Sequence, residues 1–244
     1  MNAPSSLVRQ FAPTGVLRAS LNMGNPVLAH SRTSPEKPAG VSIDLARELA
    51  RELGVRADFL QFENAARSVD ALAAGKADVG FMAIDPLRAG SIGFTPAYVQ
   101  IEGAYLVRND SPLTANEQVD RPGTAIVVGA GSAYALYLKR ALQHATMVEV
   151  PTSEAVVQAM LDGGQPVAAG VRQQLEADAQ RLGGVRVLDG RFMVINQAMA
   201  MPKDRSAEAH AWLADFVERM KRSGFVADAL QRHGITGAKV AEPG

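Results

Sequence analysis

The sequence predicts an α/β fold built from two similar halves, on three observations. Strand-like and helix-like segments alternate, the alternation restarts at Ile126, and a helix-end, glycine-turn, strand-start pattern occurs in both halves. Such alternation lays crossover helices against a largely parallel sheet.

The first strand is read from Val16 to Leu21, between Thr14-Gly15 and the turn-rich Asn22-Met23-Gly24-Asn25-Pro26. A helix over 41–53 follows from Val41, Leu45, Ala46, Leu49 and Leu53 at three- and four-residue spacing, with charges on the other face and Gly54 placed for a left-handed cap. Residues 55–62 read as a strand, 65–74 as a helix stopped at Gly75, and 77–82 as the next apolar strand. In the second half, Ile126-Val127-Val128 is strand-like, Ser132 begins a helix to about Gln143, Met147–Val150 is strand-like, Glu154–Leu161 is helical and Val167–Val171 is again apolar.

The repeat itself is Leu72-Ala-Ala-Gly75-Lys-Ala-Asp-Val79 against Leu161-Asp-Gly-Gly164-Gln-Pro-Val-Ala168. Ligands of open α/β sheets bind beyond the carboxyl ends of strands, so residues 83–88 and 171–174 are expected to border a cleft. Both segments carry an arginine. The helix-free apolar segments Tyr98–Val107 and Phe192–Met201 read as two interdomain crossings. Two closing helices follow, the first capped by Ser206 with Trp212, Leu213, Phe216, Val217 and Met220 on one face, the second from Phe225 to Arg232; the tail 241–244 is expected to fray.

Composition narrows the function. The chain has 244 residues, 47% of them apolar, and 25 basic side chains balance 25 acidic ones. This describes a compact globular protein without the basic footprint needed for nucleic acid or an anionic bilayer, so a small solute is the expected partner. With no cysteine there is no disulfide, thiolate nucleophile or thiolate metal site. No segment reaches the ~20 apolar residues of a spanning helix. The first fifteen residues lack the apolar core of a secretory leader, so the sequence as it begins is read as carrying no export signal.

Gly129-Ala-Gly131-Ser132, between a strand and a helix, can bring amide donors and a hydroxyl to an anion, or can be an ordinary glycine turn with a serine cap. It is neither a dinucleotide nor a P-loop fingerprint. In Ala83-Ile84-Asp85-Pro86-Leu87-Arg88, an Asp cap and a proline start a short helical turn that presents Arg88, a guanidinium suited to clamping a carboxylate or to pairing with a surface acid. Arg172-Gln173-Gln174 allows the same two readings. His30, His144, His210 and His233 show no metal-ligand spacing, His144 and His233 being placed at helix ends, and Met193, Met199 and Met201 read as packing residues. No catalytic constellation and no cofactor are expected.

The ordered set Gly40-Val-Ser-Ile-Asp44-Leu-Ala-Arg-Glu-Leu49, Leu72-Ala-Ala-Gly75-Lys-Ala-Asp78, Arg88 and Phe94-Thr95-Pro96-Ala-Tyr98 resembles the family 3 solute-binding proteins of bacterial ABC importers. The likeness runs from about Gly15 to Gly234. It implies a type II periplasmic-binding-protein fold, two α/β lobes joined by two hinge strands: residues 1–100 with 196–244, and 101–195. In amino-acid-binding members an arginine six residues before the Phe-Thr pair holds the ligand carboxylate, and Arg88 has that spacing from Phe94. Ser132 and Ala133 fall where donors of the second lobe complete the site, and Ala83, Tyr134 and Gln173 are implied as further ligand contacts.

Several positions depart from the family pattern. The loop from Asp78 to Arg88 is shorter, Asp85 replaces a serine or threonine, and Arg172 stands where an acid accepts the ligand ammonium. Asn22 and Asn25 replace an acid and an aromatic after the opening strand. Two arginines imply a ligand with two anionic groups, such as a dicarboxylate or an acidic heterocycle, unless a protein acid such as Asp85 neutralises one. The resemblance thus implies a monomeric, non-catalytic binder that captures a small anionic or polar solute by lobe closure for ABC-importer membrane subunits, periplasmic if a leader has been removed and cytoplasmic if the sequence is complete. The alternatives are a cyclohexadienyl or arogenate dehydratase-like enzyme, with Glu102 or Asp85 as its acid, and a ligand-sensing module.

Overall fold

The computed structural model describes residues 4–31 and 37–244. In chain order the elements are α1 (Ser5–Phe11), β1 (Val16–Asn22), α2 (Val41–Leu53), β2 (Arg56–Phe62), α3 (Ala65–Ala73), β3 (Val79–Ala83) and the long β4 (Ile92–Arg108). Then come β5 (Ala125–Gly129), α4 (Ala133–Ala141), β6 (Thr146–Val150), α5 (Val156–Gly163), β7 (Val167–Val171), α6 (Arg172–Leu182) and β8 (Val185–Val187). The chain ends with β9 (Met193–Pro202), α7 (Ala207–Arg222), α8 (Phe225–Arg232) and β10 (Lys239–Val240). It divides into two compact units, Met1–Gln100 with Asn196–Gly244, and Ile101–Ile195, so the backbone passes from one to the other within β4 and within β9.

In the first unit β1 lies between β2 and β3 and runs parallel to both, while β9 runs antiparallel to β3. All five residues of β3, Val-Gly-Phe-Met-Ala, are buried, as a central strand covered on both faces must be. The predicted apolar stripe of α2 is buried, and Gly54 closes the helix in the left-handed region at φ 69°. Val69 and Leu72 of α3 pack with Met82, Ile92 and Ala200. Gly80 lets this helix approach the sheet: a Cβ there would stand 3.1 Å from Leu72 and 2.5 Å from the end of the Met82 side chain.

In the second unit β5 runs parallel to β6 and β7, β4 runs antiparallel to β7, and β8 pairs with the end of β4. Leu106, Val127, Val157, Met160, Ala168 and Leu175 belong to its core. The repeat noted in the sequence is the same device twice, since α3 and α5 are each followed by a glycine at φ 68°, Gly75 and Gly164, before β3 and β7.

Some expectations are corrected. The helix begun by Ser132 ends at Ala141, with Leu142 already extended, and the next helix opens as a 3-10 turn over Ser153–Ala155. His144 therefore lies beyond α4, in a turn where Asp120 accepts the amides of Gln143, His144 and Ala145 at 2.8, 2.9 and 2.8 Å. The tail is tied down rather than frayed. The Ala241 amide donates to the Tyr98 carbonyl at 3.1 Å, Lys221 Nζ to the Glu242 carbonyl at 2.9 Å, and the Gly244 amide to Glu218 Oε2 at 2.9 Å. α1, α6, β8 and β10 add to the elements expected from the sequence; α1 is held by Leu7 and Phe11, the latter against Trp212 with ring centroids 5.3 Å apart.

Candidate functional site

Because β1 and β3 are parallel neighbours, paired at Ala19↔Val79 and Ser20↔Gly80, the loops after Asn22 and after Ala83 leave the same edge of the first unit's sheet. The β1 loop is folded on its own amides. Asn22 Oδ1 accepts from the Gly24 amide at 3.1 Å, and the Asn25 carbonyl accepts from Leu28 and Ala29, both at 3.1 Å. Gly24 is required by close approach, since a Cβ there would sit 2.6 Å from the Glu63 carbonyl oxygen. The side-chain oxygen of Asn25 is buried and has no hydrogen-bond partner among the described residues.

In the β3 loop, Asp85 Oδ1 accepts from the Leu87 amide at 2.9 Å and the Asp85 carbonyl from the Ala89 amide at 3.0 Å, the cap read from the sequence. The turn leads into a 3-10 helix, Arg88–Gly90. Arg88 is only 5% exposed, and its Nη1 donates back to the Ala83 carbonyl at 3.0 Å. The main chain of Ala83 thus holds the Arg88 side chain. Burial pushes the Arg88 guanidinium down to about 10, and the nearby Asp85 carboxylate acts in the opposite direction. The following Phe94-Thr95-Pro96 segment is fixed to β9, where Thr95 Oγ1 accepts from the Met199 amide at 3.2 Å.

In the second unit, Gly131 at φ 67° turns the chain after β5 and Ser132 caps α4, its Oγ accepting from the Ala135 amide at 3.1 Å. The amides of Ala133 and Tyr134 fall in the first turn, where no carbonyl of the helix reaches them. The Tyr134 side chain turns into the unit's own packing. Its hydroxyl donates to Ser153 Oγ at 2.8 Å, burial pushes its pKa up, and Gly129 leaves the room it occupies, a Cβ there standing 2.8 Å from the hydroxyl. Only the main chain of Tyr134 belongs to the helix start.

Arg172 opens α6 directly after β7, with Gln173 next on the same turn. Its Nε donates to Glu102 Oε2 at 2.9 Å, its Nη1 lies 3.6 Å from Glu176 Oε1, and its Nη2 donates to the Gly190 carbonyl. Arg191 Nη1 donates to the other Glu102 oxygen at 2.8 Å. The hydrogen bonds from Arg191 and then Arg172 hold the Glu102 carboxyl below the usual carboxylate range, against the opposing effect of burial. Glu102, and not the Asp85 considered from the sequence, is therefore the acid paired with Arg172, and the dianion argument loses its second cation. The signal was the strand register: Gly103 pairs with Val171, which brings residues 102 and 172 side by side.

Residues 22–235 match the family described as bacterial extracellular solute-binding proteins, family 3. The chain belongs to this family. Several solved structures share the fold. A solute receptor for L-cysteine from Neisseria gonorrhoeae superimposes with a TM-score of 0.79 at 21% identity, over 93% of this chain and 92% of that one. A protein from Wolinella succinogenes, described as a binding component of an ABC transporter and complexed with lysine, gives 0.77 at 21% identity, over 90% and 95%. An ancestral amino-acid-binding protein, described as a precursor of cyclohexadienyl dehydratase, gives 0.77 at 21% identity, over 92% and 97%. The fold of this solute-binding protein is thus that of the type II periplasmic binding proteins. Comparison with curated proteins returns no match.

Among the described residues of this family 3 protein, no three His, Asp or Glu side chains gather as a metal site, and no helix is long and apolar enough to cross a membrane.

Proposed function

We propose that the protein binds, without transforming it, a small organic solute held by its carboxylate, and delivers it to an ABC-type importer. The observation that carries this reading is the buried guanidinium of Arg88 at the carboxyl end of β3, where family resemblance expects the carboxylate clamp. Burying a guanidinium is unfavourable, as its lowered pKa reports, and an incoming carboxylate reverses that by a bidentate charge-assisted contact. The start of α4, with Ser132 and the amides of Ala133 and Tyr134, supplies further donors once the lobes close on the solute.

A dehydratase role is not favoured. A proton-transferring acid works best with a pKa near the operating pH, whereas two arginines hold Glu102 ionised. Asp85 is engaged as a cap beside Arg88.

The test is a thermal-shift screen of carboxylates and their methyl esters, followed by calorimetry on wild type and Arg88→Met. Carboxylates that bind should raise the melting temperature while their esters do not, because ligand binding stabilises the folded state by mass action. Arg88→Met should weaken binding at least about tenfold, or about 1.4 kcal/mol. Equal affinity in the two proteins would overturn the assignment.

A further inference from the structure

At the ends of β2, β3 and β7 the acids among the described residues already face arginines. After β2, Glu63 pairs with Arg67 at 3.4 Å; after β3, Asp85 caps its turn within the field of Arg88; after β7, Glu176 and Glu102 both face Arg172, and Glu102 also holds Arg191. Among the described residues, an ammonium brought to the ends of β2, β3 or β7 meets acids that already face an arginine. In the β1 loop, the buried Asn25 Oδ1 beside the first unit's strand ends has no hydrogen-bond partner among the described residues. A neutral amide oxygen is completed by an N–H or O–H donor, but gives a buried cation no counter-charge.

We infer that the solute is a carboxylate lacking an ammonium group, whose second polar group is a neutral N–H or O–H donated to Asn25 Oδ1, as in a hydroxy acid or an N-acyl acid. The inference rests on the carboxylate reading above and adds the chemistry of the second group. It assigns to Asn25 the discrimination between such acids and free α-amino acids.

The experiment is calorimetry of the full chain against matched sets of L-α-amino, L-α-hydroxy and N-acetyl-L-α-amino acids spanning the same side chains, for wild type, Asn25→Leu and the nearly isosteric Asn25→Asp. In the sets that bind, wild type should hold the hydroxy or N-acetyl acid at least tenfold more tightly than the amino acid. Asn25→Leu should erase that preference. Asn25→Asp, which places a carboxylate at the same point, should reverse it in favour of the amino acid. Tighter binding of free amino acids by wild type, or a preference indifferent to both variants, would overturn the inference while an Arg88-dependent affinity kept the carboxylate reading intact. If no member of any set bound, the carboxylate reading would fall and this inference with it.

Discussion

Arg172 Nε and Glu102 Oε2 meet at 2.9 Å across 70 residues of sequence, because the antiparallel register of β4 and β7 sets Gly103 opposite Val171. Glu102 also accepts from Arg191, so one carboxylate serves two guanidinium groups. With Glu176 also 3.6 Å from Arg172, two acids face the two arginines, so this cluster of the second unit is balanced in charge.

This pairing makes stability pH-dependent in a defined direction. Glu102 titrates lower in the folded protein than in the unfolded chain, so at pH values between its two pKa values the unfolded chain binds more protons. Its contribution is complete above the ordinary glutamate value and disappears as the pH falls through the lower folded value. Glu102→Gln should cost about 1 kcal/mol at pH 7, given a partly exposed pair. In urea titrations the gap between variant and wild type should shrink steadily below about pH 4.5. A gap independent of pH would mean that the ion pairs contribute nothing.

Ser132 has a structural duty and a proposed binding one, and two substitutions separate them. Its hydroxyl caps α4 through the Ala135 amide. Ser132→Ala should cost about 1 kcal/mol and Ser132→Gly only about 0.3 kcal/mol, since glycine lets water reach the open amides. If the hydroxyl also holds the solute, calorimetry should show equal affinity losses for both variants despite their unequal stabilities. Losses that track stability would assign Ser132 to the cap alone.

Gly40 sits at φ 132°, and a Cβ there would stand 2.3 Å from the Leu28 carbonyl oxygen. That oxygen accepts the Ser42 amide at 3.1 Å, and the Leu28 amide donates to the Asn25 carbonyl. Gly40→Ala should therefore cost more than about 2 kcal/mol and disturb the Asn25 loop. Gly54→Ala, with nothing within 4 Å of the new methyl, should cost only about 1 kcal/mol of left-handed strain. Denaturant titration gives the stabilities, and solute affinity should fall in the first variant alone.

The sequence exposed those elements whose period is strong. The stripe of α2 needs no tertiary information, and neither does the unbroken apolar run of β3. α6 was hidden because its Arg-Gln-Gln-Leu-Glu-Ala-Asp-Ala-Gln-Arg-Leu buries only Leu175 and Asp178, which leaves almost no apolar period to read. The segments bearing Arg88 and Arg172 could be placed because strand ends are legible. Their charge partners could not. Glu102 reaches Arg172 only through strand register, and the inward turn of Tyr134 depends on the glycine at 129 and the serine at 153.

The carboxy-terminal tail illustrates the same limit and yields the last prediction. Ala-Glu-Pro-Gly has no apolar period, yet Lys221, its side chain 1% exposed, is held between Glu218 at 2.6 Å and the Glu242 carbonyl at 2.9 Å. β10 adds to β4 at Lys239↔Gln100 and Val240↔Val99, where β4 leaves the first unit. Deleting residues 241–244 removes one acceptor from a buried ammonium and the amide donor from Glu218, so the apo protein should lose about 1–3 kcal/mol. Lys221→Met needs no acceptor, and in that background the deletion should cost markedly less, a coupling that a double-mutant cycle in urea measures directly. Equal costs in both backgrounds would show that the tail acts through its Tyr98 and Glu218 contacts instead of through Lys221.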